Sequence, residues 1–123
     1  MALKRVVEQD TLRLMDGDTE LMAMEESADG NTVSVSLRGN LRSETALDFQ
    51  DELCALATLG MDVTLDFEQV QYLSVACQRA LVTVQQKMDT MKKGSLVLTR
   101  LSQALLSALE ETGMTELLQI KDE

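Results

Sequence analysis

Between Asp62 and Gly94 the hydrophobic period of the chain changes from two to that of a helix, and this switch restricts the fold more than any other feature. Val63, Leu65 and Phe67 alternate with polar neighbours, as a half-buried strand requires. Cys77, Leu81, Val84, Met88 and Met91 are then spaced four, three, four and three apart, which sets them on one side of an α-helix. The residues between, Glu68 to Ser74, read as a short loop carrying Val70, Tyr72 and Leu73. Ser74 stands where a hydroxyl accepts from the orphan amides of a first helical turn. Lys92 and Lys93 suit the negative end of the helix dipole, and Gly94 suits a left-handed C-terminal cap.

The flanking chain supplies further elements. Val33, Val35 and Leu37 point inward against Ser34, Ser36 and Arg38, the second limb of a β-hairpin over Glu20 to Arg38. Asp29-Gly30-Asn31 closes that hairpin, and Leu21-Met22-Ala23-Met24 forms its first limb. Gly39 to Leu41 is expected to turn the chain into a helix capped by Ser43, with Ala46, Phe49, Leu53 and Leu56 inward and Gly60 as the stop. Ser95 to Thr99 is a short apolar strand, and Ser102 caps a last helix through Leu105, Leu106 and Leu109 that stops at Gly113. Leu117 to Ile120 adds a terminal strand before the solvated Lys121-Asp122-Glu123. Residues 1–18 read as an N-terminal arm or edge element, in which Leu3, Val6 and Val7 begin a strand or a helical turn and Asp16-Gly17-Asp18 turns the chain. Strands joined through helices imply right-handed crossovers and parallel neighbours, so the class is α/β, a mixed sheet in one domain over residues 19–123.

Bulk chemistry narrows the function. A net charge of −10 argues against nucleic acid and against an anionic membrane surface, both of which need a basic footprint. No apolar run approaches the ~18 residues of a spanning helix, and the N-terminus lacks the apolar region of a signal peptide. Cys54 and Cys77 lie on apolar helix sides, as reduced thiols in a cytoplasmic protein do. With no His there is no imidazole triad or metal site; there is also no Cys-x-x-Cys and no Gly-rich phosphate loop. The expectation is a non-enzymatic protein without cofactor or metal.

Individual residues carry competing readings. Ser74 is a weak phosphoacceptor candidate, although an N-cap needs no second reason to be Ser. Cys77, in a first helical turn, is a candidate redox thiol because the dipole favours thiolate there; its place in the apolar stripe speaks for plain packing. Asp66, near a strand end, raises the aspartyl-phosphate site of a receiver domain, yet no acidic pair follows the first strand to hold Mg²⁺. Met22, Met24, Met88 and Met91 serve either as core filler or as an adaptable surface.

Three segments in the right order resemble the STAS domains of bacterial anti-sigma factor antagonists: Val35-Ser36-Leu37-Arg38-Gly39-Asn40-Leu41, then Leu65 to Leu73, then Gly94-Ser95-Leu96-Val97-Leu98, with Arg79-Ala80-Leu81 in the long helix between. The resemblance spans roughly Leu21 to Ile120 and implies a STAS-like fold, its helices packed mainly on one face. The family usually reads Asp-Ser-x-Gly after its second strand, where the Ser is the target of a partner kinase that is also an anti-sigma factor. Here those positions are Ser74-Val75-Ala76-Cys77, so Val75 occupies the phosphoacceptor place without a hydroxyl. What the resemblance implies is a regulatory module that docks a kinase-like anti-sigma factor through residues 69–85 and 39–43. Arg42, Ser43, Tyr72, Ser74, Val75, Gln78 and Arg79 are the expected contact residues, without phosphorylation at the usual site. The alternative is a STAS-like scaffold or ligand-sensing domain that self-associates as a homodimer through an exposed sheet edge.

Overall fold

In the computed structural model, which describes residues 3–121, strand order in the sheet follows strand order in the chain. The elements are β1 (Lys4–Glu8), β2 (Thr11–Asp16), β3 (Thr19–Asp29), β4 (Thr32–Leu41), α1 (Ala46–Thr58), β5 (Asp62–Leu73), α2 (Val75–Met91), β6 (Ser95–Thr99), α3 (Gln103–Glu111) and β7 (Gln119–Lys121). β1 to β4 run antiparallel to one another, and β4 to β7 are parallel. Each parallel step is bridged by one helix and moves the same way across the sheet. Right-handed crossovers taken repeatedly in one direction leave every helix on the same face. The expected mixed sheet with helices on one side is therefore the observed fold.

That covered face is the core. Leu12, Leu14, Met22, Met24, Val33, Val35, Leu37, Val63, Leu65, Phe67, Leu96 and Leu98 meet Phe49, Leu53, Leu81, Val84, Met88, Leu105 and Leu109 from the helices. Met22, Met24 and Met88 are thus core filler, whereas Met91, placed in the apolar stripe by its spacing, is exposed. The opposite face is polar. Arg13 and Arg38 flank Ala23 in register and share Glu20, while Arg100 holds Asp66 and Glu68. Exposed pairs of this kind contribute about 0–1 kcal/mol each, so the fold rests on the other face.

Within residues 1–18, read as an arm or edge element, residues 4–16 form the β1–β2 hairpin at the sheet edge; residues 1 and 2 lie outside the described residues, as do Asp122 and Glu123 of the solvated tail. Several other expectations change. Glu68 to Leu73 is strand, not loop. β5 carries two bulges against β4, where Ser36–Arg38 faces Asp66–Gln69 and Gly39–Asn40 faces Val70–Tyr72. Each extra residue flips the strand's side-chain parity. The inward set therefore runs Val63, Leu65, Phe67, Val70, Leu73, a spacing no simple strand period matches. Ser43 does not cap a helix: Arg42 heads a short 3-10 turn over Ser43–Thr45 that feeds α1. At the far end of α2 the capping residue is Lys92, at φ 55°; Gly94, two residues on, is also left-handed at φ 81°, and a Cβ there would lie 2.6 Å from the Met61 carbonyl oxygen.

Gly39 is the tightest point in β4. Its φ is 105°, and an added Cβ would fall 2.5 Å from the Leu21 carbonyl oxygen on β3. Gly39→Ala is expected to cost about 3 kcal/mol in urea denaturation, because neither the torsion nor the backbone contact can relax. Gly30→Ala, with open space around it at φ 63°, should cost only about 1 kcal/mol. A second prediction concerns Glu26, on the helix side of β3. Burial, followed by a hydrogen bond to Glu52 and the charges of Glu52 and Asp10, pushes its carboxyl from 4.5 up to about 8. The folded chain thus holds this proton more tightly than the unfolded chain. This contribution is fully present below about 4.5 and lost as pH rises to about 8. Denaturation profiles across that range should slope downward for the wild type and flatten for Glu26→Gln.

Candidate functional site

The C-terminal ends of β4 and β5 meet the entrance of α2. Ser74 fixes that junction through three bonds: its amide donates to the Leu41 carbonyl at 2.8 Å, its Oγ accepts from the Cys77 amide at 3.1 Å, and its carbonyl accepts from the Gln78 amide at 2.9 Å. The expected N-cap is therefore in place, and only 3% of Ser74 is exposed. Two residues before Ser74 and one residue after it, the side chains turn outward, while Leu73 between them is buried. Tyr72 is 52% exposed and Val75 is 45% exposed, an apolar pair at a helix entrance. Arg42 and Ser43 emerge at the end of β4, and Arg79 lies one turn beyond Val75; all three are exposed. Neither arginine forms an ion pair among the described residues. Arg38, by contrast, is held by Glu20 at 3.0 Å.

Gln78 is not on this surface. It is 2% exposed, its Nε2 donates to the Leu73 carbonyl at 3.1 Å, and its Oε1 accepts from Thr112 at 2.7 Å. A polar side chain pointing inward from a first helical turn is here a tie between β5, α2 and the end of α3. Ser74 and Gln78 support the entrance from beneath, while Arg42, Ser43, Tyr72, Val75 and Arg79 face solvent.

Thr45 is a site residue that no feature of the sequence marks. It is fully buried, donates to the Arg42 carbonyl at 2.9 Å and lies 3.9 Å from the Cys77 sulfur. Cys77 in turn lies 3.5 Å from that same carbonyl. Burial pushes the Cys77 thiol up, against the lowering effect of Ser74 and Thr45, so a redox role loses its chemical ground. No hydrophobic period marks a residue such as Thr45, because its position depends on the turn that replaced the expected Ser43 cap.

Asp66 points to the open face. Its Oδ1 accepts from the Glu68 amide at 3.0 Å and from Arg100 Nε at 3.1 Å, and Oδ2 is paired with Arg100 Nη2. Burial acts to raise its pKa, but the Arg100 and Glu68 bonds outweigh it and hold the carboxyl below its usual value. Among the described residues no group of carboxylates, cysteines and histidines is arranged to hold a metal, and a receiver's acidic pocket is not assembled around Asp66. A hollow of about 300 Å³ beside the entrance is lined by Leu21, Gly39, Asn40, Arg42 and Thr45 among others. A broader one of about 490 Å³ lies on the open face over Ser34, Ser36, Thr64 and Asp66. No helix among the described residues is long and apolar enough to cross a membrane.

A mixed sheet with one helical layer and a capped helix entrance between two parallel strands defines an anti-sigma factor antagonist-like fold. The chain belongs to the STAS_2 family, described as "Mlab, STAS domain", whose model matches residues 24–119. No curated protein matches it. Solved structures agree on the fold at low identity. The anti-sigma factor antagonist SpoIIAA in its unphosphorylated form superposes with a TM-score of 0.68 at 12% identity, covering 81% of this chain and 87% of that one. The phosphorylated form of the Bacillus protein gives 0.63 at 12%, covering 81% and 90%. An anti-sigma factor antagonist from Mycobacterium paratuberculosis gives 0.67 at 15%, covering 80% and 84%.

The thiol environment is testable. Cys54, half-buried on α1, is expected to react first with an aromatic disulfide reagent, while Cys77 stays unmodified until the chain is unfolded. Equal labelling rates under native conditions would show that the entrance opens readily.

Proposed function

We propose that this chain is a non-enzymatic regulatory module of the cytoplasm that docks a protein partner at the α2 entrance. The observation that carries this reading is the exposed pair Tyr72 and Val75, set on a base made rigid by Ser74 and Gln78. Exposed apolar side chains are common one by one; what favours a contact here is that these two stand at one helix entrance on a base fixed by hydrogen bonds. By resemblance the partner is an anti-sigma factor with a kinase-like fold, and the mechanism is sequestration: the bound partner releases whatever it inhibits.

Val75 takes the family's phosphoacceptor position, and the neighbouring hydroxyls of Ser74 and Thr45 are buried. In relatives a phosphate at this position adds about −1.5 to −2 charge at a helix N-terminus, which the amides tolerate and an apolar partner surface does not. With valine there, the surface keeps the uncharged state throughout, and association is governed by the supply of partner. No nucleic acid, membrane surface, metal or cofactor enters this reading.

Val75→Glu tests it. A carboxylate in a first helical turn is compatible with the helix dipole, so the melting temperature should stay within a few degrees of wild type. Affinity capture from the host cell followed by mass spectrometry should recover a kinase-like protein on the wild type and lose it on the variant. Undiminished capture by a folded Val75→Glu chain would place the docking surface elsewhere.

A further inference from the structure

The two edges of the sheet are unlike. β7 offers three residues, Gln119–Lys121, whereas β1 offers five, Lys4–Glu8. A free edge carries a row of unpaired backbone N–H and C=O groups, a template for another strand. Pairing of Val6 with Arg13 on β2 puts Lys4, Val6 and Glu8 on the open face of the sheet. Arg5 and Val7 then lie on the helix face, where Arg5 reaches Glu52 of α1 at 2.9 Å. Val7 is 63% exposed, a large apolar side chain left uncovered at a sheet margin. Lys4 forms no ion pair among the described residues, and Glu8 is only loosely drawn to Arg13, at 3.7 Å with its side chain 63% exposed.

The order Lys-Arg-Val-Val-Glu is complementary to itself when reversed. If two copies join β1 to β1 in antiparallel about a two-fold axis perpendicular to the sheet, residues of one face must oppose residues of the same face. The register is then limited to steps of two. Centred on Val6, all five residues pair: Lys4 meets Glu8 of the second copy, twice over by symmetry, and Val6 meets its own equivalent. The apolar side of Val7 falls against the stem of Arg5, whose guanidinium is already held by Glu52. Centred on Arg5 instead, two guanidinium groups would be directly opposed. Centred on Val7, Lys4 and Arg5 would face the turn at Gln9, where φ is 52° and the strand has ended.

We propose that β1 is a homodimerisation edge, joining two copies of this chain antiparallel about Val6 into one continuous sheet with the α2 entrances left free. A pair of five-residue strands is short, and the area it covers is small beside the ~1,200–2,000 Å² of a stable interface. The dimer is therefore concentration-dependent, and its ion pairs make it weaker in high salt.

The register makes a charge-swap test possible, read by sedimentation equilibrium on the whole chain. The wild type should show a monomer–dimer equilibrium that shifts toward monomer as salt is raised. Lys4→Glu sets Glu against Glu, and Glu8→Lys sets Lys against Lys, so each single variant should weaken association at least tenfold. The double variant Lys4→Glu/Glu8→Lys restores both pairs in reverse and should regain most of the association. Both substituted positions are exposed, and unchanged circular dichroism melts would show that each of the three variants is folded. A wild type that stays monomeric at every concentration, singles that dimerise undiminished, or a folded double variant that stays monomeric would each overturn the proposal.

Discussion

Much of this architecture depends on one backbone hydrogen bond, from the Ser74 amide to the Leu41 carbonyl. It joins the last residue of β4 to the first residue after β5, at the place where both chains leave the sheet. The Ser74 hydroxyl then accepts from the Cys77 amide in the first turn of α2, and the Gln78 side chain returns to the Leu73 carbonyl. Buried polar groups that are fully paired are rigid, because any displacement leaves one of them without a partner in a poorly solvating interior. The entrance of α2 is therefore a fixed point, and the exposed Tyr72 and Val75 inherit their positions from it.

The elements easiest to read in the sequence were those with a single period. β4 alternates cleanly from Val33 to Leu37, and α2 and α3 carry uninterrupted helical spacing under serine caps at Ser74 and Ser102. β5 was half legible. Its first portion alternates, but two bulges shift the parity after Phe67 and again after Val70, so the remainder looked like loop. A bulge is a property of two strands in register, and a one-dimensional pattern holds no direct signal of it. The same limit hid the β1–β2 hairpin, where Leu12 and Leu14 alternate over too few residues to stand out.

At the candidate site the legible part was the cap and the substitution of Val75 for a hydroxyl. Gln78 is polar yet buried, and the partner that makes this possible, Thr112, is thirty-four positions away. Thr45 is hidden from the hydrophobic pattern for the complementary reason. A threonine just ahead of an amphipathic helix looks like a surface residue until the preceding turn tightens and folds it under Cys77. Polar residues with long-range partners are where hydrophobic patterning has least to say.

Because every strand lies beside its immediate predecessor, the sheet also carries a consequence for the way the chain is made. No strand has to wait for a later one before its own neighbour exists, and each addition extends a margin already present. The growing polypeptide can thus assemble from β1 toward β7 as it emerges from the ribosome, the parallel additions following as each connecting helix is completed.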